Sequence, residues 1–229
     1  MIPQKQLSTE ILRNLSWFND PLDDLTAFDA QADASDVTSA TWIAAAANGQ
    51  SVVQCTLVSN ADGTTVSPKT ASYLAITEPP PGPNYAIEAD VWYNSDDGLA
   101  VNIGAGIMVR YVNVNTGYMA RAQGDPNFIL SQIEGGAGTE AETVFDTVAV
   151  PVAALDTWDA THNQRLRLEV RGSGNLTFLI NGRVVRQYQD AAAPYTTTGK
   201  AAIFVTANGE ATKTVVVQFS NIKCFRLDA

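Results

Sequence analysis

Apolar and polar residues alternate with a period of two along most of the chain beyond residue 52. In Arg165-Leu166-Arg167-Leu168-Glu169-Val170-Arg171, the apolar side chains take one parity and the charged ones the other. Successive side chains of a strand point to opposite faces, so this segment has a core side and a wet side. Gly172-Ser173-Gly174 turns the chain into 175–180, where Leu176, Phe178 and Ile180 continue the inward set. Asn181-Gly182 then suits a type I′ hairpin, whose two central residues both need positive φ, and 184–188 is the returning strand.

The same alternation picks out 85–93, with Tyr85, Ile87, Ala89, Val91 and Tyr93 on one face and Glu88, Asp90 and Trp92 on the other. It recurs over 106–111, 117–123, 128–133, 201–206 and 215–227, with turns at Asp62-Gly63, Asp97-Gly98, Asn115-Thr116-Gly117 and Asn208-Gly209. The spacing predicts roughly ten to thirteen short strands in an all-β fold, a two-sheet antiparallel β-sandwich of the jelly-roll kind. The Pro79-Pro80-Pro81-Gly82-Pro83 run reads as a stiff surface connection, because proline cannot donate to a central ladder.

Residues 7–18 break the pattern. Leu7, Ile11, Leu12 and Leu15 recur at helical spacing after Ser8, and Trp17-Phe18 close the segment before Pro21. This predicts an amphipathic docking arm over residues 1–20 ahead of a sandwich domain over 21–229. An isolated helix of this length is marginal in water, so a neighbouring chain is its expected partner, the alternative being that the arm packs back onto its own sandwich.

At 229 residues and 45% hydrophobic content, one domain with a large core is expected. The formal net charge of −10 arises entirely within residues 1–109, while acids and bases balance over 110–229. Asp20, Asp23, Asp24, Asp29, Asp33 and Asp36 crowd one segment. That field repels phosphate backbones and anionic lipid, so neither nucleic acid nor membrane is an expected partner. Clustered carboxylates are also hard-cation ligands, which raises calcium, although no EF-hand spacing is present. The N-terminus lacks the apolar run of a secretory signal, which predicts synthesis in the cytoplasm without export. Cys55 and Cys224 form no CxxC pair and are expected to be buried, unlinked thiols.

The order of segments resembles the concanavalin A-like lectin/glucanase superfamily, and within it the laminin-G-like branch. The matching pieces are Tyr85 to Val91, Gly106 to Tyr111, Gly117 to Arg121, the hairpin from Leu166 to Asn181-Gly182, Gly199-Lys200-Ala201-Ala202, and Phe219-Ser220-Asn221-Ile222. The resemblance spans about residues 25–227 and rests on pattern, without a diagnostic motif. It implies binding of glycans or proteins, often with calcium. In several relatives an early carboxylate and an Asp of the last strand hold that ion. Asp23 or Asp24 matches the first, whereas Ser220 stands at the second. Similar domains occur in bacteriophage virions as head or tail components, and an arm ahead of a lectin-like sandwich resembles such a protein.

Glucanase relatives carry an E-x-D-x-x-E strand whose carboxylates act as nucleophile and acid. Glu88-Ala89-Asp90 supplies two carboxylates on one strand face, but position 93 is Tyr, so no catalytic residue is assigned. His162, the one histidine, reads as a loop residue, and neither Gly104-Ala105-Gly106 nor Gly135-Gly136-Ala137-Gly138 makes a phosphate loop. Lectin sites combine an aromatic ring with groups that bond sugar hydroxyls, which makes Trp92, Tyr118, Arg121, Trp158 and Tyr195 the glycan-binding candidates. Arg110 and Arg121 are expected on one exposed sheet face. The expected function is a non-enzymatic virion surface protein, a head decoration or tail component, that binds glycans and assembles with other virion proteins or copies of itself. The alternatives are a secreted or cell-surface carbohydrate-binding module and a glycoside hydrolase of the glucanase type.

Overall fold

The alternating segments form antiparallel strands in a computed structural model that describes residues 16–32, 37–59, 71–93, 103–113, 116–123, 127–134, 141–149, 163–191, 194–207 and 214–227. Along the chain the strands begin with β1 (Ser16–Asn19), β2 (Phe28–Ala32), β3 (Val37–Ala47), β4 (Gln50–Ser59) and β5 (Ala71–Ile76). Next come β6 (Tyr85–Tyr93), β7 (Ile103–Asn113), β8 (Thr116–Gln123), β9 (Asn127–Glu134) and β10 (Ala141–Ala149). The last five are β11 (Gln164–Arg171), β12 (Asn175–Ile180), β13 (Arg183–Gln189), β14 (Lys200–Ala207) and β15 (Thr214–Arg226).

They build two sheets. Sheet A runs β13-β12-β11-β6-β15-β4-β3, with β1 paired to β15, and sheet B runs β10-β9-β8-β7-β14-β5-β2. The inward parities of both sheets meet in one core that includes Tyr85, Ile87, Val91, Leu168 and Phe219 of sheet A and Leu74, Ile107, Tyr118 and Ile203 of sheet B. Burial of alternating side chains on two facing sheets is the main force holding such a sandwich together.

The opposite parity of sheet B is also buried. Tyr73, Met108, Tyr111, Met119, Ile133, Ala202 and Phe204 form a second apolar cluster there, with the Tyr73 ring 5.7 Å from Tyr111 and 5.9 Å from Phe204. Sheet B is therefore apolar on both faces, whereas the outer face of sheet A is charged.

Two hairpins use the same turn. Asn181-Gly182 has φ of 50° and 77°, and Asn48-Gly49, which joins β3 to β4, has 51° and 75°. Both pairs fit the type I′ geometry that matches strand twist.

Two sequence expectations are corrected here. Residues 16–19, read as the end of a helical arm, form β1, in which Phe18 pairs with Cys224 and sits in the core, while Trp17 packs edge-on against Tyr85. An aromatic pair gains more by closing the sandwich than by extending a solvated helix. Leu7, Ile11, Leu12 and Leu15 lie outside the described residues.

Arg110 is not on an exposed face either. It sits at an irregularity of β7 with a left-handed φ of 55°, which removes it from the alternation and leaves it fully buried. Its backbone N–H donates to the Tyr85 hydroxyl, and its Nη2 donates to the carbonyls of Gly172 and Pro83. Burial pulls its pKa below the usual guanidinium value, with the Tyr85 and Tyr118 hydroxyls opposing that shift. Gly199, at φ 60°, packs so closely that an added Cβ would lie 2.5 Å from the Arg110 carbonyl carbon.

Candidate functional site

Strand register sets the layout of sheet A's outer face. Leu176 and its partner Tyr188 face the core, so the flanking pairs Asn175 with Gln189 and Thr177 with Gln187 face outward. The next strand continues both rows, because Arg171 pairs with Asn175 and Glu169 with Thr177. Between β12 and β13 this leaves a shallow cleft of about 380 Å³ lined by Asn175, Leu176, Thr177, Gln187, Tyr188 and Gln189. Its size falls at the lower end of small-molecule sites, roughly 300–1,000 Å³.

The cleft is chemically distinct from the rest of the face. Asn175, Gln187 and Gln189 are exposed and Thr177 half-buried, and none of these side chains has a hydrogen-bond partner among the described residues. Primary amides present donors and an acceptor on one planar group, and a hydroxyl offers both, which suits a ligand rich in hydroxyls. At one margin Arg171 lies 3.6 Å from Glu169 and adds a half-exposed cation.

The carboxylates of β6 are differently placed. Asp90, 2% exposed, accepts from Arg165 Nε at 2.7 Å, from Arg165 Nη2 at 3.0 Å and from Asn221 Nδ2 at 2.7 Å. Glu88 lies 3.8 Å from Arg165 and 3.6 Å from Arg167, and Arg167 in turn stacks its guanidinium 4.8 Å above the Phe225 ring. The pair is knitted into a charged ladder across β11, β6 and β15. The bond to Asp90 holds the Arg165 pKa above its usual value.

The four glycan-binding candidates among the described residues do not converge. Trp92 does share the outer parity with Glu88 and Asp90, but it is 3% exposed, beside the buried Gln218 of β15. The expectation that it stands on a wet face is therefore corrected, since a ring so covered offers no stacking surface. Arg121 is buried on the outer face of sheet B, opposite Gly106. Trp158 and His162 fall outside the described residues.

Among the described candidates Tyr118 and Tyr195 meet, with ring centroids 5.1 Å apart. The Tyr118 hydroxyl donates to Asp190 Oδ2 at 2.8 Å and accepts from the Tyr195 backbone N–H at 2.9 Å, while the Tyr195 hydroxyl donates to the Ile133 carbonyl. Tyr118 is a core residue that ties a loop down, and burial is the main cause of its raised pKa. The cleft amides were missed because exposed Asn and Gln on a terminal hairpin carry no sequence signal beyond polarity.

The calcium candidates Asp23 and Asp24 lie in the bend that leads into β2. Both are exposed, and Asp24 Oδ1 is occupied by the backbone N–H of Thr26 at 2.8 Å and its hydroxyl at 2.6 Å, bonds that hold its pKa below the ordinary carboxylate value. Among the described residues no three metal-ligating side chains come together. A second cleft of about 290 Å³, lined by Asn19, Asp20, Pro21, Leu22, Gln50, Ser51, Asn221 and Lys223, also brings an ammonium beside its one carboxylate. Cys55 and Cys224 are buried free thiols, each with its pKa raised by burial.

No protein-family model matches the sequence, and no curated protein sequence is similar to it. Solved structures do share its architecture. The carbohydrate binding module CBM66 from Bacillus subtilis superposes with a TM-score of 0.55 at 17% identity, covering 87% of this chain and 96% of that one. A Bacteroides ovatus mixed linkage glucan GH16 protein in complex with a product gives 0.60 at 10% identity, covering 91% and 99%. The cellulose induced protein Cip1 gives 0.58 at 13% identity, covering 90% and 96%. At such identities the likeness is one of fold: the chain is an all-β, two-sheet antiparallel jelly roll of the architecture found in these structures.

Proposed function

We propose that this chain is a non-hydrolytic glycan-binding jelly roll whose site is the polar cleft between β12 and β13. The observation that carries the reading is the set of four polar side chains, Asn175, Thr177, Gln187 and Gln189, that line one depression of sheet A and have no hydrogen-bond partner among the described residues. Strand pairing fixes their backbones, so little conformational freedom is lost when a sugar is bound. The fold shared with a carbohydrate binding module agrees with this reading.

Against a hydrolytic role stands the state of Glu88 and Asp90. A retaining glycosidase needs two carboxyl groups about 5–5.5 Å apart that face the scissile bond, one of them able to hold a proton at neutral pH. Here the Asp90 oxygens are taken up by Arg165 and Asn221, and Arg165 and Arg167 flank Glu88.

A glycan array probed with the full chain, followed by calorimetry on the best ligand, tests the proposal. Asn175→Ala and Gln187→Ala are each expected to weaken binding about tenfold, the loss of roughly 1.4 kcal/mol that one or two sugar hydrogen bonds supply. Binding that survives both changes would move the site elsewhere, and silence across the array would remove the function. Release of reducing ends from any polymer, abolished by Glu88→Gln, would reinstate the hydrolase. The virion setting belongs with this reading as its assembly context, and mass spectrometry of purified particles tests it.

A further inference from the structure

Apart from the 4-residue β1, which pairs with β15 alone, the strands that end the two sheets among the described residues are β13 and β3 in sheet A and β10 and β2 in sheet B. An edge strand exposes a row of unpaired N–H and C=O groups, and monomeric proteins protect such edges with charge, bulges, proline or shortness. Strand β13 carries Arg183 and Arg186 and a register break opposite Phe178 and Leu179. Strand β10 carries Glu142 and Asp146 and a break between Val144 and Asp146. Strand β2 has 5 residues, one of them Asp29.

Strand β3 has one of these devices, a register irregularity at its very start between Val37 and Ser39, and none from Ser39 to Ala47. It runs for 11 residues, VTSATWIAAAA, without a charge or a proline, and its register with β4 is unbroken from Ser39 to Ala47. The whole hairpin over 37–59 is uncharged, and Ile43 stands 44% exposed on its outer face.

The hairpin turn fixes which backbone groups point outward. Across the two-residue turn Asn48-Gly49, the flanking pair Ala47 and Gln50 exchanges both hydrogen bonds, so the bonded pairs of the β3–β4 ladder are the odd residues of β3. The N–H and C=O groups of Ala40, Trp42, Ala44 and Ala46 therefore point away from the sheet.

We propose that β3 is a dimerisation edge that pairs antiparallel with β3 of a second copy of this chain, with Ile43 on the twofold axis. In that register the outward groups of Trp42 meet those of Ala44, and Ala40 meets Ala46, so every outward-pointing N–H and C=O of these four residues finds a partner across the seam. On the core side each Trp42 indole lies opposite the small Ala44. On the outer face Ile43 meets its own copy in a non-bonded pair, the closer of the two spacings, and Thr41 meets Ala45. A second copy satisfies this geometry because the strand is self-complementary: with no charge on it, no like-charge contact arises. A twofold interface of this kind closes on itself and leaves no β3 edge open.

Sedimentation of the full chain across the micromolar range tests this. A dimer of the 24.4 kDa chain is expected, and Ile43→Lys, which sets two ammonium groups against each other at the axis, is expected to sediment as a monomer with an unchanged far-ultraviolet spectrum. Ile43→Glu is expected to behave likewise, and mixing the two variants is expected to restore a dimer, a rescue that a folding defect would not give. Hydrogen exchange in the wild-type dimer is expected to protect the amides of Ala40, Trp42, Ala44 and Ala46. A monomeric wild type, an Ile43→Lys variant that remains dimeric, or two variants that fail to recombine would each overturn the proposal.

Discussion

Arg110 shows how one residue can hold together parts of the chain that are far apart in sequence. Its side chain and backbone reach Pro83, Tyr85 and Gly172, and Gly199 closes over it because no Cβ stands in the way. Gly199→Ala adds a Cβ where there is no space and a side chain where φ is positive, so a loss of at least about 2 kcal/mol is expected from the midpoint of urea unfolding. The tyrosines give a second expectation. Burial raises the pKa of Tyr85, Tyr93, Tyr111 and Tyr118 above the ordinary value of 10.0, because the interior disfavours the phenolate. The folded state thus holds its phenolic protons more tightly than the unfolded state. That contribution is fully present below pH 10 and is lost as pH rises toward the folded-state values. Tyrosinate absorbance is expected to appear late and in step with unfolding, and a smooth rise near pH 10 in a chain that stays folded would contradict it.

Among the elements, alternation made β6 to β9, β11, β12, β14 and β15 legible, and β13 was legible from the Asn181-Gly182 turn before it. Strands β2 and β3 were not legible. The run Ala44 to Ala47 has low β-propensity, and β3 is a strand because of its partner β4 and the Asn48-Gly49 turn, a hairpin signal that was there to be read. Strand β1 was obscured by the helical spacing of the leucines before it. Trp92 and Arg110 mark a further limit: parity assigned Trp92 its face but not its burial, and a single left-handed residue took Arg110 out of the pattern. The charged ladder is testable as a unit. Removing Arg165 leaves the Asp90 carboxylate buried with Asn221 as its remaining side-chain partner in the ladder, so Arg165→Ala is expected to cost about 2 kcal/mol, below the 3–5 kcal/mol of a fully orphaned buried charge. In the Arg165→Ala, Asp90→Asn double variant most of that loss is expected to disappear, as a thermodynamic cycle would read.

For the whole molecule, the −10 net charge sets how copies meet. Two such chains repel at long range, while the β3 edge is neutral, so added salt is expected to tighten the dimer, and sedimentation at low and high ionic strength reads the difference. The order of strands carries another consequence. Strand β14 lies between β7 and β5, and β15 lies between β6 and β4, so the last two described strands in chain order fill the middle of both sheets. A nascent chain that has not yet released them holds four half-sheets with open, apolar edges and no means of joining them. Folding therefore waits until β14 and β15 have emerged, and non-local pairing of this kind is slow. Ribosome-bound chains stopped after residue 199 are expected to remain protease-sensitive, and the interval before the final strands emerge is when the polypeptide has most need of a chaperone.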